Sequence, residues 1–326
     1  MKRIIVTGGS GFIAGWVIRE FLTHNYLVSA SLRHLNQGQE IKKAITAGLP
    51  VAQAQNLDFF QADLTKEAGW QTAMQGAVGV IHVASPLGNG TETTAELTNV
   101  AKNGTLNVLT AARNAGIKRI VMTSSQAAST PASDVGWTNL NNPELDPYRI
   151  SKVVSEKVAW QFAHENNLDL TTILPGAVFG PILSSHSISS NRILLNFMHK
   201  IAWVPKVPME ISDVRDLAVL HRLAFEKKVA INNRYLAADQ YLTMPQAAQI
   251  IHNHFPNLAT HPVILPNRLV KVMANFIPSL RALTPMLSRK YRHTTKAAST
   301  DLGWQQHTPE ETIIAAGQTL ISLEVI

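Results

Sequence analysis

The chain has no cysteine among its 326 residues, so disulfides and thiolate zinc sites are excluded, and redox conditions place no constraint on its compartment. It also lacks long apolar runs. Lys2 and Arg3 are followed by only Ile4, Ile5 and Val6 before a Thr-Gly-Gly turn, too short for the core of a secretory leader. No run approaches the roughly 20 residues of a membrane span, and a cytoplasmic location is expected. Charged residues make up 16% of the chain and hydrophobic ones 45%, as in ordinary globular proteins. The net charge of +7 invites a nucleic-acid or membrane reading. Yet the basic residues are dispersed, apart from a small cluster at Arg289, Lys290, Arg292 and Lys296, and no zinc finger or aromatic RNA-binding signature accompanies them. Neither nucleic acid nor membrane is therefore expected as a partner, and a mildly basic surface suits a polyanionic cofactor instead. The apolar stretch 265–287 is read as packing within a substrate lobe, with a segment lying on a membrane as the alternative. His252, His254 and His261 lack metal-ligand spacing, and no metal is expected.

Against these absences stands a regular alternation. β-prone runs at residues 2–6, 26–32, 57–61, 78–83, 119–122 and 170–174 are separated by helical patterns, among them 41–47, 92–114 and the stretch from Asp146 to about 166. Such alternation predicts an α/β fold with a doubly wound, Rossmann-like parallel sheet. Ligands of such sheets bind beyond the carboxyl ends of the strands, where Gly9, Asp63, Ser85, Ser125 and Pro175 all fall. After about residue 180 prolines become frequent and the rhythm weakens. Residues 1–180 are read as a dinucleotide-binding domain and 181–326 as a smaller substrate lobe. Helices at 213–227 and 309–323 and a strand at 234–237 are predicted there, some of them returning to the first domain.

Two local patterns carry chemistry. Gly9-x-Gly11-x-x-Ala14 lies between a strand and a helix, the setting in which glycines let a backbone approach a pyrophosphate at a helix N-terminus. Tyr148 and Lys152 stand four apart at the start of a helix, with Asp146 as N-cap, Pro147 in the first turn, and Ile150, Val154, Val158 and Phe162 as a buried stripe. A lysine one turn away can lower a phenol's pKa from its ordinary ~10, making the pair a proton-transfer device.

With these residues in place, the sequence resembles the extended short-chain dehydrogenases/reductases, in the dihydroflavonol-4-reductase-like and aldehyde/ketone reductase branch. Thr7 to Ala14 resembles that family's TGxxGxxG turn, with Gly8, Gly11 and Ala14 aligned. Asp63-Leu64 resembles its adenine-contacting pair, residues 81–86 (Ile-His-Val-Ala-Ser-Pro) its fourth strand end, and residues 104–109 its GTLNVL helix. Thr123-Ser124-Ser125, Tyr148-x-x-x-Lys152 and the Pro175-Gly176 segment follow in family order. So do Asp213-Val214-Arg215-Asp216 and Asp301-Leu302-Gly303-Trp304.

The resemblance implies NADP(H), held by Thr7, Gly8, Gly9, Ser10, Gly11, Phe12, Ile13, Arg33, Asp63, Leu64, Val83, Ala84, Ser85, Thr123, Tyr148, Lys152, Pro175, Gly176 and Val178. It implies a Ser125–Tyr148–Lys152 site in which Tyr148 gives the proton. Ser125 holds the carbonyl oxygen, and Lys152 lowers the Tyr148 pKa and binds the nicotinamide ribose. Ser124 is the neighbouring choice for the serine. Ser85, Gln126, Phe179 and Ile182 are candidate substrate contacts by position. The second strand ends at Arg33 without the acid usual for NAD, which favours the 2′-phosphate of NADP. The residues after Ser125 depart from the plant enzymes' substrate loop, so a flavonoid substrate is not implied. An NADPH-dependent reductase of a small aldehyde or ketone is expected, as monomer or homodimer. A nucleotide-sugar epimerase or dehydratase with bound NAD, and a silent NADP sensor, are the alternatives.

Overall fold

The computed structural model describes residues 1–86, 92–129, 133–143, 145–199, 203–277, 280, 283–287, 289 and 292–326. Strands run β1 Arg3–Val6, β2 Leu27–Leu32, β3 Leu57–Gln61, β4 Gly79–His82, β5 Arg119–Thr123, β6 Asp169–Leu174, β7 Ala177–Phe179, β8 Trp203–Pro205, β9 Pro208–Asp213, β10 Arg234–Leu236, β11 Gln240–Thr243 and β12 Val263–Leu265. Helices are α1 Phe12–Thr23, α2 Gly38–Thr46, α3 Val51–Ala54, α4 Trp70–Met74, α5 Thr94–Asn114, α6 Pro147–Glu165, α7 Arg192–Met198, α8 Val214–Glu226, α9 Met244–His254 and α10 Asn267–Met273, followed by Lys296–Leu302 and Pro309–Ser322.

The large sheet has the order β10-β6-β5-β4-β1-β2-β3, and every neighbouring pair is parallel. The chain reverses its direction of strand addition between β1 and β4. That is the switch point at which such sheets open a crevice for a ligand. The strands are continuous apolar runs because helices cover both faces: Ile4, Ile5, Val6, Val80, Ile81, Ile120 and Val121 are all fully buried. The Rossmann-like expectation therefore holds, and β10 extends it from beyond residue 180.

A second sheet, β11-β9-β7, and a short pair, β12-β8, build the remainder. Neither was legible in advance, since their strands span only three to six residues and two of them contain Pro205 and Pro208.

The buried face of α6 is a correction. Ser151, Lys152, Val153, Ser155, Glu156, Ala159 and Ala163 face inward, and the predicted stripe of Ile150, Val154, Val158 and Phe162 is only half-buried. Polar side chains occupy the inner face because the ends of β5 and β6 supply their partners. The apolar stripe is turned toward the flank, where Phe162 lies 5.6 Å under Arg113 of α5.

Candidate active site

At the end of β1, Thr7 Oγ1 accepts the N–H groups of Val83 (3.0 Å) and Ala84 (2.9 Å) and lies 2.9 Å from His82 Nδ1. With both acceptor positions of the hydroxyl filled, its proton goes to Nδ1, so His82 is neutral and carries its own proton on Nε2. Burial, and then the charge of Lys152, push its pKa down to about 3. His82 is a packed strand residue that ties β1 to β4.

Gly8 follows with φ +76°, and a Cβ there would stand 3.0 Å from that of Ala84, so glycine serves both the turn and the close approach. The Gly8 N–H donates to Ser31 Oγ (2.9 Å) and the Gly9 N–H to Ser31 O (2.8 Å), fixing the turn to β2. Gly11 caps α1 with no side chain, and no acid stands in the first turn, which leaves that helix end free to meet an anion. A cavity of about 310 Å³ opens there, lined by residues 9–12, with Gln37, Ile41 and Leu183 opposite. The bare turn, the uncapped helix end and this cavity fit a dinucleotide's pyrophosphate. Arg33, the residue after β2, is exposed. Asp63 accepts the N–H and hydroxyl of Thr65, each at 2.9 Å, and the backbone bond is the larger cause holding its carboxyl below the usual range. Leu64 O accepts Asn107 Nδ2 at 3.0 Å, which joins the Asp63-Leu64 pair to α5.

The candidate catalytic side chains lie at the ends of β4 and β5. Asp146 caps α6 through Arg149 N (2.9 Å), and Pro147 occupies its first turn. Tyr148 is thereby brought against the Ser125 hydroxyl. Burial pushes the phenol above its ordinary value and Ser125 draws it down, with Asp146 adding a smaller upward push. Lys152 Nζ donates to Thr123 O (3.2 Å) and Ser85 Oγ (3.3 Å). Burial lowers its pKa to about 8, opposed by Glu156. The expected lowering of the Tyr148 pKa by Lys152 is thus not what the structure shows: the ammonium is turned to Thr123 and Ser85, and burial of the phenol dominates.

Ser124 lies elsewhere. Its hydroxyl donates to Glu156 Oε2 at 2.6 Å, within a buried network the sequence did not reveal. Glu156 also accepts Thr172 Oγ1 (2.7 Å) and Arg234 Nε (2.8 Å), while Arg234 reaches Gly136 O (2.7 Å) and stacks 3.8 Å over the ring of Trp137. The only available clue was the spacing of four between Lys152 and Glu156. A second buried link joins His293 Nδ1 to Glu210 Oε2 (2.6 Å) and His293 Nε2 to Ser129 O (3.0 Å), holding the chain after Ser125.

The candidate substrate contacts divide. Ser85 is half-buried beside Lys152. Gln126 is buried next to Ser125, and its Oε1 has no hydrogen-bond partner. Phe179 and Ile182 instead belong to the main core, because β7 pairs with β9 and turns this segment inward. Gly176 packs against Glu210 and donates to Ser212 Oγ (3.0 Å), Pro175 O accepts Gln126 N (2.9 Å), and Val178 is buried. Among the described residues, Asp213, Asp216 and His307 form a tight acid–histidine group, but its atoms serve as caps. Asp213 accepts Arg215 and Thr312, and Asp216 accepts the backbone N–H of His307 and pairs with its ring Nδ1. Trp304 Nε1 donates to Asp216 O (2.7 Å), so the two late sequence signatures interlock structurally.

The family model described as the NAD dependent epimerase/dehydratase family matches residues 4–236. The chain belongs to that family. Within this epimerase/dehydratase family, cinnamoyl-CoA reductase CAD2 of Medicago truncatula is 32% identical over 269 residues, covering 78% of this chain and 81% of its own. Dihydroflavonol 4-reductase of Dianthus caryophyllus is 29% identical over 270 residues, covering 78% and 74%. Gre2 from Candida albicans, solved in complex with NADPH, is similar over 99% of both chains with a TM-score of 0.82 and 26% identity.

Proposed function

We propose that this protein is an NADPH-dependent reductase that transfers hydride to the carbonyl carbon of a small aldehyde or ketone. The carrying observation is the meeting of Tyr148 with Ser125 beside Lys152, at the strand ends facing the switch point, while Ser124 is held by Glu156. The enzyme is an NADP-dependent oxidoreductase, and its coenzyme is NADP(H). The glycine turn would hold the pyrophosphate on the N-terminus of α1, and Arg33 would face the 2′-phosphate, where an NAD enzyme places an acid.

The bound nicotinamide supplies the hydride. Ser125 donates to the carbonyl oxygen and stabilises the charge that grows there. Tyr148, kept protonated by its burial, gives its phenolic proton to that oxygen and completes the alcohol. Lys152, its ammonium held by Thr123 O and Ser85 Oγ, would hydrogen-bond the nicotinamide ribose beside the site. The unpartnered Oε1 of Gln126 favours a substrate with a hydrogen-bond donor near its carbonyl.

The test is oxidation of NADPH and NADH against aliphatic and aromatic aldehydes, α-diketones, β-keto esters and a dihydroflavonol. NADPH-selective turnover of one of these is expected, and Tyr148→Phe should lower it by about 10²- to 10⁴-fold with coenzyme affinity retained. Failure to bind either coenzyme, or full activity in the Tyr148→Phe enzyme, would overturn the proposal.

A further inference from the structure

The 29 basic and 22 acidic residues are unevenly placed. No Asp or Glu occurs between Asp239 and Asp301, and seven Lys and Arg do, among them Arg268, Lys271 and Arg292. Removing those seven leaves 22 basic residues against 22 acids, so the whole excess charge of the chain lies on one stretch of the C-terminal lobe. Dispersion along the sequence had hidden this.

Large apolar side chains stand exposed on the same stretch. Packing accounts for Leu265, Val270, Ala274 and Leu287, which are buried. It leaves out Leu269, Val272 (58% exposed) and Phe276 (82% exposed), spaced three and four apart along α10 and the turn after it, as one outward stripe. Arg268 and Lys271 lie exposed along one side of that stripe. α10 follows β12 directly, and Val263 of β12 pairs with Trp203 of β8, which is 61% exposed. Ile264 is exposed as well.

Apolar side chains in such numbers on a water-facing surface call for a cover. A helix face with apolar and aromatic residues on one side and Lys and Arg beside them is the pattern of a segment lying in a lipid interface. Sixty-one consecutive residues without an acid match a uniformly anionic surface better than a protein partner of mixed charge. No helix among the described residues is long and apolar enough to cross a membrane, so any contact made by α10 is peripheral.

We propose that this face of the C-terminal lobe docks on an anionic phospholipid surface. Trp203, Leu269, Val272 and Phe276 enter the boundary between headgroups and acyl chains, and Arg268 and Lys271 meet the phosphates. The reductase would then work at a membrane surface, where apolar carbonyl compounds concentrate.

The test is co-sedimentation of the full chain with phosphatidylcholine vesicles and with equal mixtures of phosphatidylcholine and phosphatidylglycerol. Binding to the anionic vesicles only, weakening as salt is raised, is expected. The Arg268→Gln/Lys271→Gln variant should lower the partition coefficient by about fivefold per charge removed. The Val272→Asp/Phe276→Asp variant should abolish binding while leaving turnover of a soluble carbonyl unchanged. The proposal fails if anionic vesicles are not bound, if neutral vesicles bind equally, or if neither variant weakens binding. It also fails if Val272→Asp/Phe276→Asp instead dissolves a dimer, since the face would then belong to a second copy of the chain.

Discussion

Glu156 holds Arg234 at 2.8 Å, both deeply buried, and stands one helical turn beyond Lys152. Through this pair the helix that carries Tyr148 is fixed to the last strand of the sheet, and the charge on Glu156 raises the pKa of Lys152 against the effect of burial.

Changing Glu156 to Gln should therefore act twice. Arg234 would be left buried without its counter-charge, costing on the order of 3–5 kcal/mol in denaturant unfolding. The lysine would also lose its ammonium proton more readily. In the native chain burial depresses Lys152 from 10.5 to about 8, so activity that needs the ammonium declines as pH rises through about 8. In Glu156→Gln this alkaline limb should move to lower pH. Arg234→Met should destabilise similarly yet leave the limb in place. A pH profile of kcat for the three proteins decides, and an unmoved limb in Glu156→Gln would sink the assignment.

Two neutral histidines should make the fold sensitive to acid. Burial is the leading cause that pushes His82 to about 3 and His221 to about 4, and His221 bridges Leu217 O and Thr123 Oγ1, each at 2.7 Å. An unfolded chain binds these protons near pH 6.5, so stability is complete above that value and is lost as pH falls toward 4. The loss should reach about 3 kcal/mol for each histidine at pH 4. Urea midpoints at pH 7 and pH 4.5 for the native chain and for His221→Asn measure it. An equal drop in both proteins would remove His221 as a source.

Arg33 is exposed and free to turn toward a 2′-phosphate. Its replacement by Ala should raise KM for NADPH by about 10- to 100-fold, the range for a hydrogen-bonded charge, and leave KM for NADH nearly unchanged. Parallel changes for both coenzymes would show that Arg33 does not read the phosphate.

A Cβ on Gly176 would lie 2.2 Å from Glu210 O and 2.7 Å from the Cβ of Ala238. The obstacle is backbone, which cannot rotate away, so Gly176→Ala should cost at least about 3 kcal/mol. Thermal unfolding provides the check, and an unchanged Tm would mean that β7 and β9 can separate locally.

The large sheet was legible because each of its strands is a short apolar run between turn residues. The predicted span 57–61 coincides with β3, and 234–237 contains β10. The glycine turn and the Tyr148–Lys152 pair were legible for a similar reason: both are local patterns within one or two turns of chain. What escaped was nonlocal. Arg234 is 78 residues from Glu156, and no periodicity couples them. The stripe on α6 was misplaced because apolar periodicity assumes an apolar interior, whereas Lys152 and Glu156 face polar strand ends. Phe179 looked like a pocket residue only because its partner strand β9 was not recognised.

The position of β10 at the sheet edge has a consequence for synthesis. During translation at ~5–20 residues per second, Glu156 is added to the chain roughly 4 to 16 s before Arg234. Through that interval its carboxylate has the hydroxyls of Ser124 and Thr172 within reach but no counter-charge, and α6 is not yet tied to the sheet edge. A nascent chain ending near residue 180 would lack the tie between α6 and β10, and the helix that carries Tyr148 and Lys152 would sit more loosely against the strands.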